Sequence, residues 1–177
     1  MKYHPYVWLP HVSAGTTHTF SHLNPFSFVH TAPARSRGAG RPIQPAVSIT
    51  VNVAFSHHCF TVSAKDPMFN PQDLYAYKSD ERSFCPQRTA LSQQLPAAMA
   101  RLAQQRSYRT KHGNYFFVAV KTAHQPPQHY VVYYQTEKGG PGAVNVLVES
   151  AYLRPTAPQL GHGNAYDGFT AILMRSQ

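Results

Sequence analysis

The chain has 177 residues, enough for one domain with a substantial core and too few for two of ordinary size. Hydrophobic residues make up 42%, which argues against disorder, and 16 basic against 7 acidic residues give a net charge of +9, a balance that favours polyanionic partners. No apolar run approaches the roughly 20 residues that cross a bilayer, the start Met1-Lys2-Tyr3-His4-Pro5 lacks the apolar stretch of a signal peptide, and two cysteines make no disulfide framework; these features predict a cytoplasmic protein without a membrane partner.

Residues 1–45 read as an irregular, basic, histidine-rich segment. Five histidines and several prolines precede the run Ala34-Arg35-Ser36-Arg37-Gly38-Ala39-Gly40-Arg41-Pro42, whose glycine and proline content predicts an exposed loop. Tyr6, Val7, Trp8, Leu9, Phe26, Phe28 and Val29 are apolar anchors that predict partial packing. Residues 46–177 read as a single α+β domain. It opens on a half-buried strand in which Val47, Ile49, Val51, Val53 and Phe55 alternate with small or polar residues. A long Asp-, Pro- and Asn-rich connection over 65–86 leads to the main helix, Arg88 to Arg106. There Leu91, Leu95, Met99 and Leu102 form one apolar stripe, and Pro96 predicts a kink or a fresh helix start. Three strands follow at Tyr115–Thr122, Tyr130–Glu137 and Val144–Leu153. Their connections are too short for parallel crossovers, so they should run as an antiparallel meander. A last strand is expected over Phe169–Arg175. The helix should pack on an antiparallel sheet of about four to five strands.

Charge is distributed unevenly. No acid precedes Asp66, and the 55 residues between Glu81 and Glu137 hold none. That gap contains Arg82, Arg88, Arg101, Arg106, Arg109, Lys111 and Lys121, so it should present a positive face. Arg88, Arg101, Arg106, Arg109, Lys111 and Lys121 are the expected contacts to nucleic-acid phosphates. Tyr134 is a candidate for base stacking, although a buried tyrosine is the commoner outcome.

Phosphate-binding glycine loops, dinucleotide turns and His-Glu-x-x-His are absent, and the few acids do not pair as two-metal nucleases or glycosidases require. Histidine-based chemistry remains, and metal-independent RNA cleavage leads it. In that reaction the substrate's 2′-hydroxyl attacks the adjacent phosphate, and the protein supplies a base, an acid and cations. A kinked helix followed by a meander ending Val148-Glu149-Ser150-Ala151-Tyr152-Leu153-Arg154 resembles the barnase/EndoU/RelE-like RNase toxin superfamily over about residues 47–154. The resemblance implies an RNase toxin fold, commonly paired with a neutralising antitoxin protein, and leaves the catalytic set open.

The candidate catalytic residues are His57 and His58 at the end of the first strand and His112 beside Lys111 and Arg109. Ser150, Tyr152 and Arg154 join them, expected on one strand face following Val144, Val146 and Val148. The competing readings are a surface histidine pair, a phosphate-binding loop around His112, and Ser150 and Tyr152 as packing residues. Cys59 and Cys85 with His57 or His58 match no standard zinc spacing, and buried free thiols are their default; no metal or cofactor is expected. The reading is an endoribonuclease acting on RNA, a toxin of a toxin–antitoxin or mobile-element defence system. Its alternatives are a non-catalytic RNA- or DNA-binding module and a structural protein of a phage or plasmid.

Overall fold

A computed structural model describes residues 3–34, 45–77, 80–109, 115–121, 129–156 and 166–176. The architecture is α+β. Its elements are β1 (His11–Ser13), β2 (Thr16–His18), β3 (Phe26–Ala32), β4 (Val47–Phe55), β5 (Thr61–Ser63), β6 (Arg82–Phe84), α1 (Pro86–Ser92), α2 (Leu95–Ala100), β7 (Ser107–Arg109), β8 (Tyr115–Lys121), β9 (His129–Lys138), β10 (Ala143–Arg154), β11 (Tyr166–Asp167) and α3 (Phe169–Ser176).

Seven strands form the main sheet in the order β11-β7-β8-β9-β10-β4-β3. The expected three-strand meander is β8-β9-β10, and β7 and β11, which the sequence does not predict, extend it antiparallel beyond β8. The sheet then extends beyond four or five strands, because β4 joins β10 in parallel and β3 adds antiparallel to β4. A parallel pair needs a long crossover, and here the chain between Phe55 and Ala143 supplies it by building the helices and the meander first. Two hairpins, β1–β2 and β5–β6, stand apart from the sheet.

The core lies on one sheet face. Ile49, Val51, Val53 and Phe55 of β4 meet Val144, Val146 and Val148 of β10 and Tyr130, Val132 and Tyr134 of β9. Leu91, Leu95, Met99 and Leu102 cover them, as the stripe predicts. The stripe runs through two helices and a following 3-10 turn, Leu102–Gln104, rather than one helix. Cys85 caps α1 with Pro86 in its first turn, and Pro96 occupies the first turn of α2, where a missing N–H and a fixed φ cost nothing.

Three elements differ from the sequence expectation. The N-terminal segment is not an irregular appendage: β1, β2 and β3 are strands, and Trp8, Phe20 and Leu23 enter the core. Residues 169–176 form α3, not a strand, because Phe169, Ile172 and Leu173 are buried at i, i+3 and i+4 spacing, which a strand would split between two faces. The 65–86 connection contains β6, whose polar Arg82 and Ser83 are buried with partners: Arg82 donates to the Thr61 hydroxyl and carbonyl, and Ser83 accepts from the Asn70 amide.

Leu102 is 1% exposed. Leu102→Ala should lower the urea unfolding free energy by about 2–5 kcal/mol, whereas Val29→Ala, at an exposed position of β3, should stay within about 0.5 kcal/mol.

Candidate functional site

The site is built where β4 leaves the sheet. β4 pairs with β10 as far as Phe55 and Val148. The Ser56 amide then donates to the Val148 carbonyl at 2.9 Å, and residues His57–Cys59 wind into a short 3-10 turn instead of ending a strand. The Ser56 hydroxyl caps this turn by accepting from the His58 amide, the Thr61 hydroxyl donates to the His57 carbonyl at 2.7 Å, and the Cys59 thiol faces the Val148 carbonyl at 3.7 Å. Both histidine rings are thereby held on one short, tied segment.

Their partner arrives from the β5–β6 hairpin. Just before β6, a bridge between Tyr77 and Asp80 brings Asp80 over the turn. One oxygen of Asp80, Oδ2, accepts from His57 Nε2 at 3.1 Å and from His58 Nε2 at 2.9 Å. The two rings lie with centroids 4.5 Å apart. They are not equivalent. His57 is 1% exposed, its ring faces Trp8 and Tyr77, and its Nδ1 is buried without a partner among the described residues. Burial, reinforced by His58, pushes its pKa down to about 4, so it stands neutral with its proton on Nε2. His58 retains 24% side-chain exposure; burial and then the Arg82 guanidinium hold it below the ordinary histidine range. Burial alone would raise the Asp80 carboxyl, but the His58 hydrogen bond and Arg82 hold it below the usual carboxylate range. The result is a carboxylate shared by two neutral imidazoles, with His58 facing solvent.

Arg88 of α1 extends the site toward β10. Its Nη1 donates to the carbonyls of His58 (3.2 Å) and Thr61 (3.0 Å), its Nη2 pairs with Asp66 at 3.3 Å, and its Nε–H is buried with no acceptor among the described residues. The guanidinium carbon lies 5.3 Å from the centre of the Tyr152 ring, within cation–π reach. Tyr152 stacks on Tyr133, and Arg154 Nη1 donates to the Tyr133 hydroxyl at 3.4 Å. Burial, with the hydrogen bond to Tyr133, pushes the Tyr152 pKa up to about 12.

The sequence candidates therefore fall into separate groups. His57, His58, Arg88, Tyr152 and Arg154 form one continuous constellation, and Ser150 pairs with Tyr133 beside it. The face assignment of the last strand needs correction. A register shift between Val148 and Ser150 reverses the alternation, so Ala151, not Ser150, continues the buried run of Val144, Val146 and Val148. Tyr134 is no stacking platform: it is fully buried, and its hydroxyl donates to Ser107 at 2.6 Å. Arg88 is tied inward by three acceptors rather than presented to solvent. Arg101 and Arg106 are exposed. His112 and Lys111 lie outside the described residues, and Arg109 and Lys121 are described only as backbone in β7 and β8. Among the described residues the thiols join no metal-ligating group: Cys59 faces the Val148 carbonyl and Cys85 accepts from the Arg88 amide.

Asp80 is the member that sequence reasoning missed, and Arg82 stands in the sequence reading only among the cations of the positive face, not as part of the site. A signal existed: four of the seven acids fall within residues 66–81, directly between the histidine pair and the basic stretch. Three of them pair with a basic side chain: Asp66 with Arg88, Asp73 with His11, and Asp80 with His57 and His58.

His57 makes stability depend on pH with a defined sign. Its folded pKa near 4 lies below the ordinary value near 6.5, so between these values the unfolded chain binds the extra proton. This contribution is complete above pH 6.5 and is lost as pH falls toward 4, by at most about 3 kcal/mol. Urea unfolding at pH 7 and pH 4.5 should show the loss in the native chain and a smaller loss in His57→Gln.

No curated protein and no solved structure matches this chain. Residues 10–175, from the start of the β1 hairpin into α3, match the family described as the YjaZ family. With almost its whole length inside that match, the chain belongs to the YjaZ family.

Proposed function

We propose that the protein is an endoribonuclease that cleaves RNA without a metal, by attack of the substrate's own 2′-hydroxyl. The observation that carries the reading is the solvent-facing His58 imidazole, oriented by Asp80 and set beside Arg82 and Arg88. With Nε2–H committed to Asp80, His58 Nδ1 keeps the lone pair that would take the 2′-hydroxyl proton, and Asp80 would stabilise the imidazolium so formed. On this reading Arg154 and the Arg88–Tyr152 pair would supply positive charge and a hydroxyl donor to the phosphorane. His57 is too deeply buried to touch substrate; its part is to fix Asp80. The net charge of +9 and the exposed Arg101 and Arg106 favour a polyanionic substrate. On this reading the enzyme works in the cytoplasm as a toxin that an antitoxin protein holds inactive. A non-catalytic RNA-binding protein is the second reading, favoured by the inward commitment of Arg88.

RNA cleavage should persist in EDTA and leave 2′,3′-cyclic phosphate ends, and 2′-O-methyl substitution at the cut site should abolish it. His58→Ala should lower the rate by about 10²–10⁴-fold. Because a lowered His58 pKa leaves more of the base unprotonated in mild acid, the acid limb of the rate profile should fall below pH 6.5. A requirement for added divalent metal would sink the mechanism, and tight binding without scission would leave the binding reading.

RNA affinity should fall steeply between low and moderate salt as phosphate contacts release counterions. Arg101→Gln and Arg106→Gln should each flatten the slope of log K against log salt by about 1. Filter binding at several salt concentrations measures this, and a flat response would remove the electrostatic basis of the proposal.

A further inference from the structure

We infer that His57, His58 and Asp80 form a binding site for a Zn²⁺-like transition-metal ion, and that its occupancy switches the proposed RNA cleavage off. The switch rests on the reading of His58 as the base; the site itself does not.

The donor atoms of these three residues all lie within 4.8 Å of one another, the only such grouping of His, Cys, Asp and Glu among the described residues. Donors arranged tetrahedrally about zinc at 2.0–2.2 Å sit roughly 3.3 Å apart. The two imidazole–carboxylate separations, 3.1 and 2.9 Å, already come within a few tenths of that value. An ion would therefore replace two hydrogen bonds that converge on a single oxygen, each imidazole shifting its proton from Nε2 to Nδ1 so that Nε2 can ligate. Two imidazoles and a carboxylate suit zinc and its neighbours better than magnesium or calcium, which take all-oxygen shells.

The supports are also those of a built site. Both histidines stand on a turn fixed by Ser56 and Thr61, and among the described residues the buried His57 ring has no hydrogen-bonding side-chain partner other than Asp80. Asp80 is 44% exposed, so an entry path exists and water can fill the remaining coordination position. The neighbouring guanidinium of Arg82 opposes a cation, whereas Asp66 offsets that of Arg88. The site therefore suits an exchangeable ion rather than a permanent structural one.

The functional consequence follows from the shared atoms. A metal on His58 and Asp80 removes the hydrogen bond that orients the imidazole and makes the ring a much weaker base. Metal binding and general-base action at His58 exclude each other.

The test uses the full chain, stripped with EDTA and dialysed. Zn²⁺ titration by calorimetry, with Co²⁺ absorption as the spectroscopic probe, should show one strong site. Asp80→Asn and His58→Ala should each weaken that site at least about tenfold, while His22→Ala retains it; thermal melts of all variants report folding. Asp80→Asn, at a partly exposed position, keeps the test valid if His58→Ala fails to fold. In parallel, stoichiometric Zn²⁺ should suppress RNA cleavage at least about tenfold, and EDTA should restore it. No binding, or equal binding by Asp80→Asn and the native chain, overturns the site whatever the RNA assay shows. Localised binding by a protein that never cleaves RNA sustains the site and overturns the proposed function. Cleavage that needs the ion overturns both the switch and the metal-free mechanism.

Discussion

The carbonyl of Val148 is the point on which the functional half of the molecule turns. It lies at the last parallel pair between β10 and β4, accepts the Ser56 amide, and faces the Cys59 thiol. Immediately beyond it β10 bulges. A bulge leaves one residue out of the pairing and reverses the alternation. Here that phase change lets Ala151 carry on the core while Tyr152 pairs with Val131 on the other face, near Arg88. Were the strand regular, the end of β10 would send its polar residues into the apolar layer formed by Val132 and Tyr130. The same carbonyl thus marks the end of one strand, sits at the start of the bulge in the other and anchors the histidine turn.

A second constraint is the scarcity of acid. With seven carboxylates in the chain, each pairing fixes a segment that would otherwise lack a specific contact. Asp73 accepts from His11 and from Ser13, tying the β1 hairpin to the 65–86 connection. Asp66 holds Arg88 from one side while the His58 and Thr61 carbonyls hold it from another. Asp80 closes the connection over the histidines. These pairs are partly buried, so desolvation offsets much of their attraction and their effect is positional: they decide where a polar stretch lies over a core formed by hydrophobic burial.

That division explains what could be read from the residues alone. Alternation identified β4, β9 and β10, and spacing identified the Leu91–Leu102 stripe and the restart at Pro96, because burial on one face repeats with a period that the sequence carries. The short apolar run of α3 carries no such signal at strand length, since Phe-Thr-Ala-Ile-Leu-Met suits either period until a partner surface exists. β1 to β3 were hidden by histidine, glycine and proline, although Trp8, Phe20 and Leu23 reach the core. The histidine pair was legible as chemistry. Asp80, 22 residues from His58, was not, because nothing local marks which of the acids between 66 and 81 will fold back. The bulge was equally silent: one residue out of pairing leaves no composition mark, yet it moves Ser150, Tyr152 and Arg154 to the other face.

The site's charge balance joins the two proposals. If both histidines are neutral, the group of Asp80, Asp66, Arg82 and Arg88 sums to zero, so neither an anion nor a cation is favoured by net charge alone. The guanidiniums are held by Thr61, His58 and Asp66, and that of Arg88 lies within cation–π reach of Tyr152, whereas the atoms that could ligate a metal belong to Asp80 and the two imidazoles. On the two proposals a phosphodiester and a metal ion would compete for a single residue, His58, so the imidazole at residue 58 rather than the arginines would decide between base and ligand.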